Sequence, residues 1–327
     1  METDDSHSKM NREVLRSRTR VSRRRALMLG GTVGLGGVLA ACATDQRSTP
    51  ATASTGAATA APTTAAALLD TAPRCVATTE ETQGPYWFDV DSIRADIRED
   101  RPGVPFQLAI RVQNLKACAA DGSGATAVGN AVVELWHCDA GGVYSGFETG
   151  SNSANAGGPG GPPPGGGPGG PGGPGRMPPN GPPGADPMAN PSGEKSDGSY
   201  SVGDSESKTT DDGTYLRGAQ VTDANGIVNF TTIFPGWYVG RTTHIHLKVH
   251  VDKATVLTTQ IYFDNDLKAK IYALSPYSDH AGWESNTQND NDGIFDESGM
   301  VTAKWKDTAT PTANSTLLGA INLGVDT

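Results

Sequence analysis

Two histidines one residue apart, His244 and His246, follow a tyrosine and an arginine in the stretch Gly236-Trp237-Tyr238-Val239-Gly240-Arg241-Thr242-Thr243-His244-Ile245-His246. In a β-strand alternate side chains share a face, which puts the two imidazoles on one side, about 7 Å apart. That is a bidentate platform for a metal ion. A phenol nearby narrows the choice of ion, because phenolate is a hard anionic oxygen donor that suits ferric iron. Arg241 adds a fixed positive charge that could lower the phenol's pKa or hold an anionic substrate.

The elements that must position these groups are strands. Residues 104–112 alternate, with Phe106, Leu108, Ile110 and Val112 on one face. Residues 131–137, 226–234, 243–251 and 256–263 are further strand candidates. Turn signals punctuate them at Asp121-Gly122, Asp139-Ala140-Gly141-Gly142 and Asp223-Ala224-Asn225-Gly226. The pattern holds no long amphipathic helix. The expected fold is therefore all-β, an antiparallel β-sandwich with long loops.

The 327 residues include 42 Gly and 22 Pro, and much of that excess lies in one tract between Ser151 and Gly184. Its Gly-X-Y register breaks at Pro164, which argues against a collagen helix. Residues 148–208 read as a disordered insertion in a surface loop, interrupting one domain and not separating two. Its closure cost grows only logarithmically with length.

Ahead of the domain, Ser22-Arg23-Arg24-Arg25-Ala26-Leu27 resembles a twin-arginine export signal. The apolar run Ala26 to Ala41 is too short and too rich in small residues for a comfortable transmembrane helix. Leu39-Ala40-Ala41-Cys42 matches a bacterial lipobox, which implies cleavage before Cys42 and acylation of its thiol. The expected organisation is a leader over 1–41, a flexible Ala/Thr-rich tether over 42–74 and one domain over 75–327. The expected location is the outer face of the bacterial cytoplasmic membrane through a lipid anchor, or secretion. Residues 1–41 hold eight basic and four acidic residues, so their removal takes the formal charge from −10 to −14. So acidic a protein is a poor nucleic-acid binder. Export permits disulfides, and Cys118 and Cys138 flank a polar connection, so they are the expected pair, with Cys75 free. The absence of a CxxC spacing disfavours cysteine-based metal binding.

A second tyrosine lies upstream in Val133-Glu134-Leu135-Trp136-His137-Cys138-Asp139-Ala140-Gly141-Gly142-Val143-Tyr144-Ser145-Gly146. With Pro235-Gly236-Trp237-Tyr238 and His244-Ile245-His246, this arrangement resembles the intradiol ring-cleavage dioxygenases, most closely their exported branch similar to the protocatechuate 3,4-dioxygenase beta subunit. The resemblance covers roughly 75–147 and 209–275. It implies non-haem Fe(III) held by Tyr144, Tyr238, His244 and His246, with Arg241 as a catalytic residue that stabilises negative charge on the substrate. Glu81-Thr82-Gln83-Gly84-Pro85-Tyr86 looks like the family's segment at the substrate mouth, and Gln260 stands where a pocket glutamine is expected, so Pro85, Tyr86 and Gln260 are candidate substrate-binding residues. The sequence departs from the family pattern at Thr242-Thr243, where the better-known members usually carry Pro-Ala, and in the Gly/Pro insertion.

The implied reaction joins a catechol-type aromatic with O2 and cuts the ring between its hydroxyls to give a muconate-type dicarboxylic acid. His137 reads as structural, and His250 continues the face of His244 and His246 but is not needed as a ligand beside two tyrosines. Two other readings remain open: a tethered β-sandwich module that binds aromatics or carbohydrates without turnover, and a zinc or copper site, since imidazoles bind both. The pattern specifies no oligomeric state.

Overall fold

The computed structural model describes residues 63–119, 121–149, 151, 191–307 and 310–327. The expected leader, Cys42 and most of the Gly/Pro tract lie outside the described residues.

Among the described residues, eleven strands carry the fold: β1 (Pro105–Asn114), β2 (Thr126–Ala127), β3 (Val132–Trp136), β4 (Pro191–Lys195), β5 (Ser205–Ser207), β6 (Arg217–Val221), β7 (Ile227–Ile233), β8 (His244–Val251), β9 (Ala254–Tyr262), β10 (Thr302–Trp305) and β11 (Leu317–Val325). Helices α1 (Ala65–Leu68) and α2 (Asn265–Tyr272) are short. None of the described helices is long and apolar enough to cross a membrane. The all-β expectation holds.

One sheet runs β10-β11-β1-β2, with β7 also paired to β1; a second runs β6-β3-β8-β9; β4 and β5 form a separate ribbon. The second sheet is antiparallel throughout. The first departs from expectation, because β1 and β11 pair in parallel from Phe106↔Leu317 to Asn114↔Val325. Almost the whole domain lies between those two strands in sequence, so no hairpin constrains their direction.

Alternation along the strands builds the core. Phe106, Leu108, Ile110 and Val112 of β1 share one hydrophobic cluster with Leu135 of β3, Ile245, Leu247 and Val249 of β8, and Ile261 of β9. The two large sheets thus bury their apolar faces in common, at about 1.5–3 kcal/mol for each fully buried large side chain.

Three expectations need correction. The tether does not extend to residue 74. Thr64 caps α1 by accepting from Ala67 N at 3.2 Å, and Ala65, Leu68 and Leu69 pack on Ala109, Leu318 and Ala320. Asn322 donates to the carbonyls of Leu69, Ala72 and Pro73 at 3.0–3.2 Å. Two leucines and a buried amide turn an Ala-rich run into a docked segment.

The proposed insertion is also ordered at its C-terminal end, where β4 pairs with β5 and Tyr200 is buried. Lys248, buried on β8, takes Asp204 from this segment as its counter-charge at 2.5 Å. The disulfide, finally, joins Cys75 to Cys118, with Cα atoms 5.6 Å apart. Cys138 is the buried free thiol. It follows β3 into an interior cluster with Trp136, Tyr144 and Tyr238, while Cys118 sits in the loop after β1.

Candidate functional site

The site is built on the face of the second sheet that points away from the shared core. Since Ile245, Leu247 and Val249 enter the core, His244, His246, Lys248 and His250 must project from the opposite face. Register sets His246 beside Trp136 of β3 and Gln260 of β9, and His244 beside Tyr262. The Trp136 ring lies 5.0 Å from the His246 ring and parallel to it within 3°. Gly84 passes directly over the same imidazole: its φ is +69°, and a Cβ there would come within 3.0 Å of His246 Cε1.

Two loops deliver the tyrosines. Asp139 closes the turn before Tyr144, its Oδ1 accepting from Gly141 N at 2.9 Å and Val143 N at 3.0 Å. The Asp139 carbonyl also accepts from Gly236 N at 3.1 Å, in the turn that leads to Tyr238. A Cβ on Gly236 would lie 2.3 Å from that carbonyl oxygen, so only glycine lets the two loops touch. Past Tyr144, Arg217 donates to Ser145 Oγ at 2.9 Å and to the Ser145 carbonyl at 2.8 Å, with its guanidinium 4.4 Å from the centre of the Phe88 ring.

Four donor side chains converge. The Tyr238 hydroxyl is 3.0 Å from His244 Nε2, and His244 Nε2 is 3.1 Å from His246 Nε2. The Tyr144 ring lies 5.9 Å from that of Tyr238 and 6.0 Å from that of His246. His244 Nδ1 sits 2.6 Å from the Thr242 carbonyl, which can only accept, so this nitrogen carries the proton and Nε2 offers its lone pair. Tyr238 and His246 both turn toward that one lone pair. Burial holds His244 well below the ordinary histidine range, with Arg241 adding to the effect. His246 is lowered by burial and then by the neighbouring His244. Burial raises both phenols, with Arg241 opposing at Tyr238.

The buried Tyr144 hydroxyl makes no well-formed hydrogen bond among the described residues. Two imidazole lone pairs and two phenols, short of acceptors in a dry site, suit a cation that would accept all four and allow the phenols to ionise. Among the described residues no group of three or more His, Cys, Asp and Glu is gathered to hold a metal, so the tyrosines are needed to complete this set.

No protein-family model matches the sequence, and no curated protein matches it. Solved structures do. An intradiol ring-cleavage dioxygenase from Tetranychus urticae is 24% identical, with a TM-score of 0.53 over 77% of this chain and 95% of that one. A further dioxygenase structure aligns over the same shares at 24% identity, with a TM-score of 0.52. The chain has the intradiol dioxygenase fold.

In this intradiol dioxygenase fold the other expected site residues fall close to the four donors, in roles partly different from those anticipated. Arg241 donates through Nε to both Asp292 oxygens, at 2.9 and 3.2 Å, and through Nη2 to Gln260 Oε1 at 2.7 Å. Gln260 is fully buried and its amide donates to the Thr82 carbonyl at 3.0 Å. It therefore ties Arg241 to the 81–86 segment. Tyr86 stacks on Tyr144 with ring centres 4.6 Å apart, and Pro85 beside it is half-buried. The other two histidines of this region are engaged elsewhere: His137 bonds the Cys138 carbonyl and Thr232, and His250 bonds Glu134 and Thr255.

Several residues around the intradiol fold's donors escaped the sequence reading. Arg217, Asp292, Lys268 and the pair Glu81–Tyr262, joined at 2.5 Å, all act within this neighbourhood. A cavity of about 590 Å³ opens beyond Phe88, lined by Phe88, Glu206, Ser207, Lys208, Thr209, Asp211 and Asp212. It includes none of the four donors.

Proposed function

We propose that this protein is a non-haem Fe(III)-dependent intradiol dioxygenase that cleaves a catechol-type aromatic with O2 to a muconate-type dicarboxylic acid. The observation that carries the reading is the meeting of Tyr238 Oη, His244 Nε2 and His246 Nε2 at 3.0–3.1 Å, with Tyr144 beside them. Tyr144, Tyr238, His244 and His246 would hold the iron. When bound, ferric iron would supply the Lewis acidity that readies a catechol-type ring for reaction with O2.

The chain's own residues do the rest. The Thr242 carbonyl keeps the His244 proton on Nδ1 and its Nε2 free to ligate. Arg241, held by Asp292 and Gln260, favours negative charge at Tyr238 and on a substrate oxygen close to it. Tyr86 backs Tyr144, and Pro85 beside it is the remaining candidate for substrate contact. Burial of the donors excludes water. The same reading takes the two sheets as the layers of a β-sandwich, supported by their common core. It also includes export and a lipid anchor at Cys42, supported by the arginine cluster and lipobox and by a disulfide suited to an oxidising compartment.

Purified protein should contain iron in equimolar amount and show the burgundy tyrosinate-to-Fe(III) band. Catechol added under air should then bring oxygen uptake and a muconate absorbance. Tyr144→Phe and His246→Ala should each lose iron and colour, and retention of both would sink the ligand assignment. A colourless or blue protein would point to zinc or copper. Aromatic binding without oxygen uptake would point to a binding module.

A further inference from the structure

The Thr242-Thr243 pair, where this sequence departs from the family pattern, is wired into its surroundings. Thr242 is buried and uses every polar atom it has. Its N–H donates to Asp292 Oδ2 at 2.6 Å, and its carbonyl meets His244 Nδ1 at 2.6 Å. Its hydroxyl lies 2.7 Å from Asn289 Oδ1 and accepts from Lys268 Nζ at 2.7 Å. Lys268, on α2, also donates to Asn289 Oδ1 at 2.6 Å. Thr243 reaches the same helix through a 2.5 Å hydrogen bond to Tyr272. A proline at 242 could supply neither the N–H nor the hydroxyl.

Lys268 has no exposed surface and makes no ion pair among the described residues; its two partners are a hydroxyl and an amide oxygen. An ammonium buried with only neutral groups in hydrogen-bond contact is costly, and burial pushes its pKa down to about 8 even though the charges of Asp264, Asp292 and Asp290 oppose the shift. So costly a placement, ending on the residue whose carbonyl orients His244, calls for a role.

We propose that Lys268, acting through Thr242, is a positioning residue for the metal site. It fixes the 241–243 backbone, so that His244 keeps Nδ1 on the Thr242 carbonyl and turns Nε2 toward Tyr238 and His246. The same backbone leaves Arg241 on Asp292 and Gln260. In its metal-binding consequence the proposal rests on the ferric reading above; in its orienting consequence it does not.

The test compares Lys268→Met, Thr242→Val and the double variant with the unaltered protein. Ferric affinity is read by competition with a chelator, the His244 tautomer by ¹⁵N NMR of the metal-free protein, and the fold by circular dichroism. Each single variant should lower ferric affinity about 10–100-fold. The double variant should be no worse than the weaker single, because both changes cut one chain of contacts. In the metal-free singles the Nδ1–H tautomer of His244 should give way to a mixture. Ferric affinity within about twofold of the unaltered protein, or losses that multiply in the double variant, would overturn the proposal. If the unaltered protein binds no iron, the ferric reading falls and the tautomer decides alone: unchanged in the singles, it overturns the proposal; mixed, it supports it. Should Lys268→Met fail to fold, Thr242→Val, which keeps the N–H and the carbonyl, gives the same two readouts.

Discussion

On one face of β8, Ile245, Leu247 and Val249 are fully buried in the core shared with the other sheet, while on the opposite face His244, His246, Lys248 and His250 are only 1–2% exposed. Both faces are dry, yet they are held by different physics. The inner face is stabilised by area removed from water, which is non-directional and tolerant of exchange between apolar side chains. The outer face is stabilised only where each polar atom finds its partner. Toward the end of β8 the partners are complete: Lys248 has Asp204 and the Trp87 ring at 3.6 Å, and His250 has Glu134 and Thr255. At the start of β8 they are not, because Tyr238 and His246 compete for one His244 lone pair. The contrast makes the start of β8 the unfinished end of an otherwise satisfied polar face, which is where the proposed site lies.

The largest expected effect tests the inner face. Leu247→Ala should cost about 2–5 kcal/mol in denaturant unfolding, through lost burial and the cavity left behind. The molecules that remain folded should keep the metal site. His246→Ala should cost the metal-free protein less than that while abolishing metal binding. A reversal, with the histidine the greater loss to stability, would break the division between a face kept for packing and one kept for chemistry.

That division was legible in β8 because its alternation is strict, and it was legible in β1 for the same reason. β11 was not. Leu317 to Val325 is buried on both sides, with Leu317, Ile321 and Leu323 in the main core and Leu318 and Ala320 under α1, so no alternation marks it. The donors Tyr144, Tyr238, His244 and His246 could be named from spacing and resemblance, because each pair sits in a local motif. Asp292 and Lys268 could not, since they reach Arg241 and Thr242 from 51 and 26 residues away through irregular loops and a short helix. The disulfide was misassigned for a related reason: spacing shows which cysteines could meet, while the choice between Cys75 and Cys138 depended on which loop turned outward.

A polar group on the inner side sharpens the comparison. His137, the residue after β3, bonds Thr232 of β7 at 2.7 Å and is completely buried. Burial lowers its pKa to about 4, with the Cys138 carbonyl opposing. In the fold it stays neutral while the unfolded chain takes up a proton below about pH 6.5, so its contribution is intact above 6.5 and is lost as pH falls toward 4. The loss amounts to about 3 kcal/mol over that window. His137→Asn should flatten the acid limb of stability measured by denaturant midpoint against pH. Some slope should remain, since His244 and His246 are shifted in the same direction. An unchanged acid limb would mean that the inner layer tolerates a charged imidazole.

The smallest expected effect runs the other way and belongs to the outer face. Burial raises the Glu81 carboxyl to about 7; the Tyr262 hydrogen bond and the charge of Arg241 oppose the shift, and Asp296 and Asp292 add to it. Between about pH 4.5 and 7 the folded protein therefore binds a proton that the unfolded chain has released, and stability falls as pH rises through that window. Glu81→Gln removes the ionisation while keeping an acceptor for Tyr262. The midpoint of thermal unfolding should rise by about 1–2 °C at pH 8 and stay level or drop slightly at pH 5. The two variants should thus tilt the pH profile of stability in opposite senses, His137→Asn on the acid side and Glu81→Gln on the alkaline side. If Glu81→Gln instead destabilises at pH 8, the ionised carboxylate is a needed partner of Arg241, and the polar face near His244 is more nearly satisfied than its hydrogen bonds indicate.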